Sequence, residues 1–182
     1  MQTQPIETLS RFSLFSDLSR NDLDDLLPSF EQCSYPVGGV VFEKGENNPA
    51  LYLLLDGAVE IAFDVPGHQN AVIVRVEPGG VVGESSFFCS APHSATARCV
   101  EPSTLLRLSR CEYSKLLENR SVPALQVANR AAEILATRLQ ATNQWLAELL
   151  AEEQQHVMEK WRRFRKGIGI DFAFPNGFVH TT

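Results

Sequence analysis

Apolar positions along the chain change their period twice. In RFSLFSDLSRNDLDDLLPSF, residues 11–30, Phe12, Phe15, Leu18, Leu23, Leu26 and Leu27 recur at helical spacing and predict two short helices. Ser19 followed by Asp22 is an N-cap pattern for the second of them. From Tyr35 to about Leu108 the period shortens. The runs VVF (40–42), LYLLL (51–55), AVEIAF (58–63), AVIVRV (71–76), TARCV (96–100) and TLLRL (104–108) alternate with turns at Gly38-Gly39, Gly45, Asp56-Gly57, Pro66-Gly67 and Pro78-Gly79-Gly80. Short β-rich runs at that spacing predict a β-sandwich or jelly-roll barrel.

Helical spacing returns in RCEYSKLLENR (110–120), a short helix. Pro123 suits a first helical turn, and no glycine or proline follows until Gly167, so one long helix is predicted. Within it Leu125, Ala128, Ala132, Leu135, Leu139, Thr142, Leu146 and Leu149 are spaced 3-4-3-4-3-4-3, a heptad seam. So narrow a stripe suits another helix better than a sheet. With no second long helix in the chain, the simplest occupant is the same helix of a second copy. The alternative is packing on the chain's own β-domain. Past Leu149 the seam gives way to KWRRFRK (160–166), five of whose seven residues are basic, and to an aromatic tail, GIGIDFAFPNGFVHTT (167–182). The basic stretch reads as a solvated helix end, or as a contact for an acidic partner, a membrane surface or nucleic acid.

Composition narrows this picture. The 182 residues suffice for one domain and an appendage. A net charge of -6 argues against a general nucleic-acid binder. Cys33, Cys89, Cys99 and Cys111 form no CxxC pair and read as buried thiols of a reducing compartment. The start, MQTQPIETLS, has no charged n-region, and no run reaches the ~18 apolar residues of a membrane span. A cytoplasmic chain is expected. His68, His93, His156 and His180 show no metal-ligand spacing, and no GxSxG or Walker pattern occurs, so no enzyme and no metal are expected.

The candidate chemistry lies in GESSFFCSAPHSATA, from Gly83 to Ala97. A glycine brings backbone amides close, a carboxylate accepts sugar hydroxyls, and a polar turn follows, which are parts of a nucleotide-phosphate pocket. A β-turn without a ligand would also use Gly83 and Pro92. Upstream, Gly45 and Gly57 stand in a G-E-x-x-x-x-L-Y-x-x-x-x-G pattern.

Together with the order of helices, strands and long helix, these motifs resemble the cyclic nucleotide-binding domain of catabolite activator proteins and protein kinase A regulatory subunits. The resemblance covers roughly residues 10–150. It implies a mainly β fold: a jelly roll flanked by helices (1–120), then a dimerisation helix with a basic end (121–166) and the tail (167–182). It implies that Gly83 admits the ligand, that amides near Ser85, Ser86 and Phe87 face the cyclic phosphate, and that Glu84 accepts a ribose hydroxyl. His93 occupies the place of the family's phosphate-binding arginine, followed by Ser94 and Ala95. Thr142 and Asn143 match a helix segment that reaches the adenine; a tolerated polar seam residue is the alternative for Thr142.

The resemblance implies a non-catalytic regulatory module that senses a cyclic nucleotide, with cAMP the first candidate. It would relay binding through the long helix, as a homodimer through 121–150 with a protein partner for 150–182. Histidine in place of arginine lowers the expected affinity between ten-fold and a few thousand-fold, as ~1.5–5 kcal/mol is lost at each ~1.4 kcal/mol per decade. The alternative is therefore a cassette that binds no nucleotide, in a homodimeric interaction module. If His93 met the phosphate as imidazolium, binding would strengthen below its free pKa of ~6.5. Sixteen residues follow the basic stretch, too few for a helix-turn-helix, so direct DNA binding by this chain is not expected.

Overall fold

The computed structural model describes residues 9–65 and 68–152. The chain divides into two units, Met1–Ile134 and Leu135–Thr182. The described strands are β1 (Glu31–Tyr35), β2 (Val40–Phe42), β3 (Ala50–Asp56), β4 (Val59–Val65), β5 (His68–Val76), β6 (Val81–Val82), β7 (Thr96–Cys99) and β8 (Ser103–Ser109). The α-helices are α1 (Arg20–Leu26), α2 (Glu84–Cys89), α3 (Arg110–Glu118) and α4 (Val122–Glu152). The strands pair antiparallel in two four-stranded sheets, ordered β1-β8-β3-β6 and β2-β7-β4-β5.

The continuous apolar run of β3 follows from burial on both faces. Successive side chains of a strand point to opposite sides. Leu51 and Leu53 join a core built from the helices, with Phe12, Phe15, Leu23, Leu26, Phe87 and Tyr113. Ala50, Tyr52 and Leu54 face the other way, into a core shared with Phe42, Val59, Ala97 and Cys99 of the second sheet. Leu106 and Leu108 of β8 serve the first core, and Leu105 the second.

Two strands carry no sequence signal. β1, EQCSY, is mostly polar because it forms a sheet edge, paired only with β8 from Glu31↔Arg107 to Tyr35↔Ser103. β6 has two residues, too few to show a period. The predicted cap of α1 is present as a reciprocal box: the Asp22 amide donates to Ser19 Oγ, and the Ser19 amide to the Asp22 carboxylate. Gly57 has φ +89°, and a Cβ there would run into the Pro102 carbonyl and the Ser103 hydroxyl.

The long helix carries two stripes offset by one residue. Ala124, Val127 and Ala131 are buried, and with Ile134 they pack into the helical core of the first unit. The predicted seam runs beside them, and Leu125, at 54% exposed, remains outside the core. In the second unit Leu139 (56%) and Trp145 (60%) are exposed. The expectation of buried cysteines is corrected. Cys99 is buried, whereas Cys89 at the end of α2 and Cys111 on α3 are exposed, because neither helix position faces a core. Among the described residues no helix is long and apolar enough to cross a membrane. The basic stretch 160–166 and the tail 167–182 lie outside the described residues.

Candidate functional site

Gly83 ends β6 and begins the site. It is left-handed, φ +83° and ψ 1°, and forms the N-cap of α2. A Cβ at this position would run into the Ala50 carbonyl, with the Phe42 and Tyr52 rings 3.5 Å away. Only glycine threads this gap without strain. The cap also brings no side chain to the helix, so the first turn of α2 has no side-chain cap. The Phe87 amide makes the bond back to the Gly83 carbonyl, 2.9 Å, and the amides of Glu84, Ser85 and Ser86 lie ahead of that ladder. Glu84 occupies this first turn, half-buried, and Ser85 is exposed.

The rest of α2 anchors the segment. Phe87 is fully buried in the helical core. Ser86 is buried, and its hydroxyl donates to the Pro92 carbonyl at 3.5 Å, closing the loop across its neck. Ser90 ends the helix in the left-handed region at φ 52°, uncommon for a residue with a Cβ. The Ser90 and Ala91 amides both turn back to the Ser86 carbonyl.

His93 points inward. It is 2% exposed, and its ring lies on Phe42 with centroids 3.8 Å apart and planes 10° from parallel. Its backbone is tied to the β2–β3 loop, residues 43–49. The Gly45 amide donates to the His93 carbonyl at 2.7 Å, and the His93 amide to the Glu46 carbonyl at 3.1 Å. Burial pushes the imidazole below its ordinary pKa; a hydrogen bond to the Asn48 backbone and the Glu46 carboxylate act the other way and are outweighed. Ser94 is exposed and Ala95 buried. One residue on, Thr96 Oγ1 accepts from the Lys44 amide at 3.1 Å.

Seven of the candidate residues, Gly83, Glu84, Ser85, Ser86, His93, Ser94 and Ala95, thus lie in one segment between β6 and β7. Thr142 and Asn143 lie in the second unit, both exposed, and the Thr142 hydroxyl donates to the Arg138 carbonyl one turn back at 2.9 Å. Residues that the sequence did not single out complete the first group: Phe42 under the histidine, and Glu46 and Asn48 beside it. In the sequence Phe42 stands only in the run VVF and Glu46 and Asn48 only in the Gly45 pattern, with nothing to join them to His93.

Comparison with known proteins places this geometry. Residues 32–120 match the cyclic nucleotide-binding domain family. A cyclic AMP receptor protein of Thermus thermophilus is 32% identical over 158 residues, which span 86% of this chain and 71% of that relative. The crystal structure of the Thermus thermophilus catabolite activator protein superposes with a TM-score of 0.68 at 32% identity, over 75% of this chain and 62% of that one. The sensor domain of the transcriptional regulator DNR from Pseudomonas aeruginosa gives a TM-score of 0.58 at 30% identity, over 74% of this chain and 90% of that domain. This chain therefore spans less than two thirds of the solved activator. The jelly roll with its glycine-led helix between β6 and β7, together with these likenesses, shows that the chain belongs to the cyclic nucleotide-binding domain family and is related to the catabolite activator regulators.

Proposed function

We propose that the chain is a non-catalytic sensor of a cyclic nucleotide, with cAMP its first candidate. The observation that carries this reading is the left-handed Gly83. It is locked in place by the Ala50 carbonyl and opens an α2 whose first turn has no side-chain cap. Amides ahead of a helical ladder suit an anion. In this reading the amides of Ser85 and Ser86 meet the cyclic phosphate, Glu84 accepts a ribose hydroxyl, and Ser94 and Ala95 line the exit. The relative named as a cyclic AMP receptor supports the choice of cAMP.

Contacts within the first unit that join α2, α3 and the start of α4 support a relay through the long helix. Phe87 of α2 packs against Tyr113 of α3, ring centroids 5.1 Å apart, and Phe88 meets the same ring edge-on at 6.0 Å. The Tyr113 hydroxyl donates to the Ala124 carbonyl in α4 at 2.9 Å. Ligand at the cassette shifts α4 only by preferring one packing of this cluster over another. The chain acts as a homodimer through 121–150, in the cytoplasm, and passes the signal to a protein partner through 150–182.

Isothermal titration with cAMP and cGMP tests the reading. Heat of binding and a raised melting temperature are expected; neither at millimolar nucleotide would refute it. Binding by His93→Arg but not by the parent chain would instead assign the nucleotide-free interaction module.

A further inference from the structure

His93 is held on three sides. Phe42 of β2 stacks on its ring, Nε2 is buried with no hydrogen-bond partner, and the Asn48 backbone is the ring's hydrogen-bonding neighbour in the loop. Two backbone bonds, to Gly45 and Glu46, tie the same residue to the same loop. This arrangement suits only the neutral ring. Neutral imidazole has one N–H, which needs one acceptor, and its second nitrogen carries a lone pair; imidazolium carries N–H on both nitrogens and needs two acceptors. A proton on Nε2 would therefore be a buried charge and an unsatisfied donor at once. The surrounding elements do little to offset this. The loop contributes the Glu46 carboxylate, which favours the proton but also accepts from the Glu43 amide at 3.1 Å. The loop's other charged side chains are Glu43 and Lys44, and the cassette's is Glu84. β2 contributes Phe42, and β3 behind it contributes Tyr52, whose phenol burial pushes above the ordinary range, so it stays uncharged.

We propose that His93 is a proton-operated clasp: the neutral ring holds the cassette exit against the β2–β3 loop, and a proton on the ring releases that contact and lowers the affinity of the cassette for its nucleotide. The clasp rests on geometry alone; its effect on affinity rests on the sensor reading above. The closed form binds fewer protons than the open one, whose histidine titrates near ~6.5. The closed form is thus fully favoured above that pH and loses ground as pH falls through and below it. This is the opposite sign to an imidazolium that pairs with phosphate.

The test begins with the labelled full chain and no ligand. NMR follows the His93 ring and the Gly45 and Glu46 amides from pH 8 to pH 5. A His93 midpoint below ~6.5 is expected, with both amides moving along the same curve. A midpoint at or above that value, or amides that stay still through it, overturns the clasp. Calorimetry with cAMP then compares pH 8 with pH 5.5. The parent chain should bind at least three-fold more weakly at pH 5.5. His93→Phe, which keeps an aromatic ring on Phe42 and has no proton to gain, should bind equally at both. Tighter binding by the parent at pH 5.5 overturns the proposal. Absence of cAMP binding at either pH defeats the sensor reading instead, and the ligand-free titration still decides the clasp.

Discussion

Gly83 and Ser90 bracket α2 with the same left-handed backbone and opposite tolerance for it. At Gly83 a side chain has nowhere to go, because the Ala50 carbonyl fills the space. Gly83→Ala should cost about 2 kcal/mol or more, the sum of left-handed strain (~1–2 kcal/mol) and that clash, and should abolish nucleotide binding. Urea unfolding and calorimetry on one preparation would check both. At Ser90 the strain is already present. Ser90→Gly should raise stability by up to about 1 kcal/mol, the relief of strain being partly offset by the flexibility of glycine in the unfolded chain. A lower melting temperature would show that the serine is not strained. The need for glycine at 83 is legible in the sequence. The inward turn of His93 is not, since it depends on Phe42, which β2 brings up from about fifty residues earlier.

At the scale of elements, α2, α3 and α4 are joined by Tyr113. Its ring meets Phe87 and Phe88, Arg110 lies over it at 5.5 Å, and its hydroxyl reaches Ala124. Tyr113→Phe keeps the ring and removes one buried hydrogen bond, so it should cost about 1 kcal/mol in urea unfolding. It should also reduce any cAMP-induced change in amide exchange over 122–134 while leaving the cassette's own protection intact. An unchanged response in α4 would exclude this route. The helix itself was only half legible. Its period names a seam, but two seams one residue apart satisfy a helical period equally well. Leucines mark the exposed one, whereas the stripe that packs on the domain is built of smaller residues, Ala124, Val127 and Ala131. Small side chains let a helix approach a core closely and leave little hydrophobic signal.

For the whole molecule, the exposed stripe bears on assembly. Leu139 and Leu149 are large apolar side chains of that stripe in water, and burying a leucine is worth ~1.5–3 kcal/mol. If a second copy covers the stripe, Leu139→Glu should weaken the dimer at least ten-fold in analytical ultracentrifugation and leave the melting of the β-domain nearly unchanged. A parent chain that sediments as a monomer at every concentration tested would remove the homodimer from the proposed function.

The sequence alone determined the order of the longer elements, the β-rich character of the domain, the glycine that opens α2 and the long helix over its described part. Each of these is written locally, as a period, a cap or a turn residue. Tertiary structure decided what no local pattern holds: a polar β1 as an edge strand, which stripe of α4 faces the core, which cysteines are buried, and the burial of His93. These depend on which surfaces meet, and the partner surface lies elsewhere in the chain. For His93 that partner is a phenylalanine ring and a loop, so its side chain turns inward and is buried.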